Sequence, residues 1–121
     1  MIYDDAYLWI EWHESEIPWI KIFGKSRAKE LTLAPEAEQE ALWRAVRITE
    51  KAMLAYYRPD KINIASFGNY LPELHWHVMA RFVNDSHFPE PMWGCKQRES
   101  TLQLPDQDGF ERLLRQMLAE H

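Results

Sequence analysis

Residues 35–57 constrain the fold more than any other stretch of this chain. Leu42, Val46, Thr49, Met53 and Tyr56 or Tyr57 recur at three-to-four spacing, which places them on one face of a helix. Pro35 suits a first helical position, Glu36 and Glu38 favour the positive N-terminal end, and Pro59 stops the run. Glu40 and Arg44 are spaced to pair one turn apart. A long helix with a single apolar stripe needs a surface to bury it against, and the flanking segments have the period of strands.

Residues 6–13 alternate Tyr7, Trp9 and Glu11 with Leu8, Ile10 and Trp12, the two-faced pattern of a strand. "HESEIP" supplies a turn, and residues 19–23 read as a second strand that ends at Gly24, giving a hairpin. "KSRAKELTLA" is a polar connection into the helix. After the helix, "KINIAS" alternates again, "FGNYLP" breaks, and residues 74–82 form another strand. These last two are expected to be antiparallel neighbours joined through Gly68-Asn69. Residues 83–105, with Pro89, Pro91, Phe88, Met92 and Trp93, read as a long ordered excursion, and such loops are often functional. Asp106 or Asp108 is positioned to cap a final helix over about 107–120, with Phe110, Leu113, Leu114, Met117 and Leu118 on one face. The expected fold class is α+β: an antiparallel sheet of about five strands in a single domain over 1–121, one long helix, a C-terminal helix, and helices against one sheet face.

Composition narrows the partners. The formal net charge of −5 argues against a nucleic-acid backbone, which demands dense Lys and Arg. A local patch of donors for a small anion is compatible with it. Cys95 is the only cysteine, so no intramolecular disulfide forms and a reducing cytoplasm fits. The opening "MIYDDAYLW" lacks a basic segment, and no apolar run approaches the ~18 residues of a membrane span, so no leader and no membrane partner are expected.

The chemistry concentrates in "LPELHWHVMARF". On a strand Glu73, His75, His77 and Met79 share one face, and Leu74, Trp76 and Val78 the other. The second face is apolar and must be buried, leaving a polar row on a rigid backing. Three uses are open. Two imidazoles two residues apart can ligate a metal, with Glu73, His87 or Cys95 completing the set. A cupin-type site would have a glycine six residues earlier and an acid shortly after, whereas Gly68 lies seven before His75 and residues 78–81 contain no acid. The histidines can also be structural, with satisfied hydrogen bonds. Thirdly, a neutral imidazole whose second nitrogen is held by an acceptor can attack phosphorus or acyl carbon.

The same segment, preceded by "INIASFGN" and followed by "FPEPMWG", resembles the histidine triad (HIT) proteins, whose signature is His-x-His-x-His followed by apolar residues. The variant with Pro-x-Leu before the histidines and a Trp-Gly loop after them looks like a small bacterial subgroup. The likeness in element order covers about residues 5–95. It implies a nucleotide hydrolase or transferase with no cofactor and no metal. The substrate would be a purine nucleoside 5′-phosphate derivative (a phosphoramidate, an adenylate or a dinucleoside polyphosphate), processed through a nucleotidyl-histidine. His75 matches the middle histidine, the nucleophile, and His77 the third, which binds phosphate oxygens. Asn69 matches a polar donor to phosphate or leaving group. In the first hairpin Glu14, with Glu16 next, sits where the family holds the ribose hydroxyls. Trp93 falls where members bring a loop near the site. The resemblance also implies a homodimer using the long helix or the edge strand beside it. Alternatives are a nucleotide-binding protein with little or no turnover, or a His-x-His metal module.

The chain departs from the pattern at three places. Glu73 stands where the first triad histidine belongs, and an ionised carboxylate repels a phosphate. It is positioned instead to accept from a ligand or to orient a neighbouring ring. "GKSRAKEL" lacks the family's histidine after the second strand, and Leu71-Pro72 replaces a polar residue ahead of the triad. Among the six tryptophans, Trp12 or Trp19 is placed to stack on a base or to cover a dimer interface. His13 and His87 read as ordinary strand or surface residues.

Overall fold

A computed structural model describes residues 1–120. Five strands, β1 (Tyr3–Asp4), β2 (Leu8–Trp12), β3 (Trp19–Gly24), β4 (Lys61–Ala65) and β5 (His75–Arg81), form one antiparallel sheet in the order β1-β2-β3-β5-β4. Helix α1 (Glu36–Tyr57) and helix α2 (Gln107–Ala119) complete the fold. This is the expected α+β arrangement, with β4 and β5 paired as foreseen. β1 was not anticipated: two residues are too few to show a period, and they are held by pairing Tyr3 with Ile10. His121 and the end of the expected domain lie outside the described residues.

The sheet separates the chain's two kinds of side chain. Ile10, Ile22 and Trp76 align across β2, β3 and β5, as do Trp12, Ile20 and Val78. Ile10, Ile20, Ile22 and Val78 are wholly buried in one cluster with Leu42, Val46 and Met53 of α1 and Phe110, Leu114 and Leu118 of α2. Burying one such side chain stabilises the fold by about 1.5–3 kcal/mol, so this layer carries most of the stability. On the opposite face the register aligns Trp9, Phe23 and His75 in one row and Glu11, Lys21 and His77 in the next.

Polar groups fasten the helices. Arg44 does not pair with Glu40: its guanidinium donates to the carbonyl of Leu118 at 2.6 Å, satisfying an acceptor that the end of α2 leaves open. Asp106 caps α2 by accepting from the Gly109 N–H, and the Tyr56 hydroxyl donates to the Asp106 carbonyl at 2.8 Å. Trp12 donates to Glu111 at 2.9 Å and lies against Phe110, so this tryptophan docks α2. Glu38, placed by the sequence at the positive end of the helix, is buried and accepts from the Ser26 N–H at 2.7 Å and its hydroxyl at 2.6 Å. A Cβ at Gly24 would sit 2.6 Å from Glu38 Oε2, so a side chain there would displace the carboxylate that Ser26 bonds. Among the described residues no helix is long and apolar enough to cross a membrane.

Candidate functional site

A cavity of about 410 Å³ opens on the sheet face away from the helices. It is lined by His75 and His77 of β5, Trp19 of β3, residues 67–71 of the β4–β5 connection, and Trp93. Gly68 turns that connection with a φ of 76°, a left-handed conformation that a side chain would strain.

His75 is held from two sides. Its Nδ1 lies 2.6 Å from the carbonyl oxygen of Glu73. A carbonyl only accepts, so Nδ1 carries a proton and, in the neutral ring, Nε2 holds the lone pair. Phe23 stacks on the ring at 5.0 Å between centroids, and Trp9 stacks on Phe23 at 4.9 Å and 7°. The ring plane is therefore fixed by an aromatic column and the tautomer by the backbone. With 9% of its surface exposed, His75 keeps only an edge in the cavity it lines.

His77 is set in the opposite sense. The Trp19 indole N–H donates to its Nδ1 at 2.9 Å, so in the neutral ring Nε2 carries the proton. Burial first, then neighbouring His75, His13 and Lys21, push its pKa down to about 4. At neutral pH His77 is thus an uncharged donor 5.1 Å, centroid to centroid, from a ring with a free lone pair. A nucleophile beside a hydrogen-bond donor is the layout required to attack a phosphoryl or acyl centre and steady its oxygens.

The structure brings together four of the six residues singled out in the sequence: His75, His77, Asn69 and Trp93. Glu73 and Glu14 are not among the cavity's lining residues. Glu73 precedes β5, in a bend where its N–H bonds the Leu71 carbonyl at 2.8 Å, so the pleat alternation does not extend to it. Its residue lines a second cavity of about 230 Å³ with Lys29, Ser66 and Trp76. Its main-chain carbonyl, and not its carboxylate, meets the His75 ring. Glu14 is exposed, while Glu16 two residues on accepts from the Ser86 hydroxyl and ties the hairpin to the loop after β5.

Sequence reasoning missed Phe67, Tyr70 and Leu71 as cavity residues, although three apolar side chains in a turn otherwise built of Gly, Asn and Pro are an unusual signal. It placed Trp19 near a ligand or an interface without seeing the hydrogen bond to His77. No lysine or arginine lines the cavity; Lys21 instead lies 3.5 Å from Glu11 and over the Phe23 ring. Among the described residues no three His, Cys, Asp or Glu side chains come together as a metal-ligand set, which leaves the metal alternative two imidazoles.

The sequence model of the HIT domain matches residues 2–84. The chain belongs to the HIT family. Its fold is similar to that of a histidine triad protein from Bradyrhizobium japonicum, with a TM-score of 0.78 and 27% identity over 97% of this chain and 88% of that one. A histidine triad protein from Marinobacter aquaeolei VT8 matches with a TM-score of 0.77 and 24% identity over 98% and 88%, which bears on the fold alone. Comparison with curated protein sequences gives no match. HIT membership implies, in general terms, nucleotide binding and hydrolase or transferase activity. In this HIT protein His75 and His77 line the cavity, and Glu73 meets His75 through its main-chain carbonyl.

Proposed function

We propose that this HIT protein is a nucleotide hydrolase or transferase acting on a purine nucleoside 5′-phosphate derivative, with His75 as nucleophile. The observation that carries the reading is the 2.6 Å hydrogen bond from His75 Nδ1 to the Glu73 carbonyl, which in the neutral ring leaves the lone pair on Nε2. The Nε2 lone pair forms a bond to the α-phosphorus as the bond to the leaving group breaks, and that group takes a proton from solvent, which the water of the second step later returns. Water then attacks the nucleotidyl-histidine and restores the ring. His77 donates from Nε2 to a phosphate oxygen, and Asn69 supplies a second donor. The absence of lysine and arginine from the cavity lining favours phosphoramidates and adenylates over dinucleoside polyphosphates, whose extra charges would enter without a counterion.

The test is chemical trapping. Incubation with a nucleoside phosphoramidate is expected to give a nucleotidyl adduct on His75 by mass spectrometry, and His75→Ala to abolish turnover while retaining nucleotide affinity. A second reading, nucleotide binding with little turnover, is favoured by Glu73 at the first triad position; binding by the wild type with neither adduct nor turnover on phosphoramidate, adenylate and polyphosphate substrates would establish it instead. The proposal includes a cytoplasmic location, supported by the unpaired Cys95. It also includes a two-fold dimer, supported by exposed Trp43 and Leu54 on one side of α1 and Ile64 on the free edge strand β4. Sedimentation velocity at micromolar concentration checks it, and a monomer there removes the dimer from the proposal.

A further inference from the structure

Trp93 lines the cavity from the middle of a long segment without regular structure, and more than half of its surface is exposed. An indole so placed is not held by its own burial, and a flexible segment has a large conformational entropy to lose. Its only close aromatic neighbour among the described residues is Phe67, met edge-on at 5.1 Å. Something else must hold the loop.

We infer that the buried Arg81–Asp85 pair is a positioning device that sets Trp93 as one wall of the nucleotide cavity. Arg81 ends β5 on the same face as His75 and His77, so the strand that presents the histidines also presents the anchor. Its Nε and one terminal nitrogen donate to the two oxygens of Asp85 at 3.0 and 3.1 Å, both residues being almost wholly inaccessible. The guanidinium also donates to Asn63 on β4 at 2.9 Å and to the Glu90 carbonyl at 2.7 Å. Asp85 in turn accepts from the main-chain N–H groups of Phe82, His87 and Phe88. The return limb is tied to the same point: Arg98 donates to the Asp85 carbonyl at 2.6 Å, and the Gln97 N–H to Ser86 at 2.7 Å.

An isolated buried ion pair adds little to stability, because desolvation offsets attraction. Here the pair is tied to both limbs of one loop and to the sheet. Arg81's contact at Glu90 is separated from the indole by only two residues, Pro91 and Met92, and the Gly94 N–H closes the turn on the Pro91 carbonyl. The wall therefore follows the anchor. This rests on the nucleotide reading above, and the experiment separates the two.

Binding of a purine nucleoside 5′-monophosphate is measured by calorimetry for wild type, Asp85→Asn, Arg98→Met, Trp93→Ala and the double Asp85→Asn/Trp93→Ala, at a temperature where circular dichroism shows each folded. Stacking on an aromatic side chain is worth about 5- to 150-fold in affinity, so Trp93→Ala is expected to raise Kd at least about fivefold. Asp85→Asn is expected to do the same, and the double variant to be no weaker than the weaker single. Arg98→Met, which removes an exposed tie of the same loop, is expected to lower affinity about two- to fivefold and serves if Asp85→Asn does not fold. On a nucleoside phosphoramidate the three single variants raise KM and leave kcat within about twofold, since His75 is oriented at the other end of β5. A wild type that does not bind the monophosphate overturns the nucleotide reading. A wild type that binds overturns the positioning role if Asp85→Asn or Arg98→Met shows unchanged Kd, if Trp93→Ala binds normally, or if the losses in the double variant add.

Discussion

Trp19→Phe is the substitution that most directly tests how the site is tuned. It keeps an aromatic ring between His13 and His77 and removes the N–H that donates to His77 Nδ1 at 2.9 Å. Protonating Nδ1 requires that hydrogen bond to break, so Trp19 favours the neutral ring and its loss raises the pKa. A net hydrogen bond is worth ~0.5–1.5 kcal/mol, which is about one pKa unit at 1.36 kcal/mol per unit. Burial and the neighbours His75, His13 and Lys21 remain, so the variant titrates above the wild-type value of about 4 and still below the ordinary 6.5. The linkage has a definite sign. With the folded pKa below the unfolded one, the unfolded chain binds the proton first, so stability is full above pH 6.5 and falls as pH drops toward about 4. After allowance for partial exposure, the fall in that window is on the order of 2 kcal/mol for the wild type and smaller for the variant. NMR titration of the His77 ring, assigned with His77→Ala, reads the pKa; urea unfolding at pH 7 and pH 4.5 reads the window. A wild-type His77 titrating near 6.5, or a variant whose value stays put or falls, refutes the reasoning.

Other perturbations follow from single contacts. Glu73→Gln is expected to change turnover less than about twofold, since the carbonyl and not the carboxylate touches His75; a tenfold change in either direction in a phosphoramidate assay would show that the charge acts on the site. Glu38→Ala removes a buried carboxylate that accepts two hydrogen bonds from Ser26 and is expected to lower unfolding free energy by about 1–3 kcal/mol in urea, with a loss under about 0.5 counting against the contact. In side-by-side kinetics, kcat/KM for a dinucleoside polyphosphate is expected to be at least about tenfold below that for a phosphoramidate of the same nucleoside, and Leu71→Lys to narrow the gap; equal rates would remove the electrostatic argument.

The α1 stripe, the hairpin of β2 and β3, and the alternation of β4 and β5 were legible in the sequence because each repeats a local period several times. His75 and His77 were legible for the same reason: two residues apart on a strand are on one face whatever surrounds them. Extrapolating that period to Glu73 failed because the chain leaves the pleat before His75, a decision made by the bend at Leu71 and Glu73. Likewise Glu40 was spaced for Arg44, yet the open carbonyl at the end of α2 took the guanidinium instead. Glu14 and Glu16 could not be ranked from sequence, since the ties at this turn depend on Ser86, 70 positions away from Glu16.

By itself, then, the sequence determined the two helices and the four longer strands, that His75 and His77 share a rigid face, and a motif resemblance to the HIT family. These depend on local periods and on residue types in order, which one chain carries in full. Only the tertiary structure decided the tautomer of each histidine, because Trp19 and the Glu73 carbonyl reach them from β3 and from the turn before β5. It also decided that Trp93 and Phe67 meet, and that Arg81 and Asp85 vanish from solvent at the root of the loop between them and α2. Hydrogen-bond partners far apart in sequence are chosen by packing, and packing has no period to read.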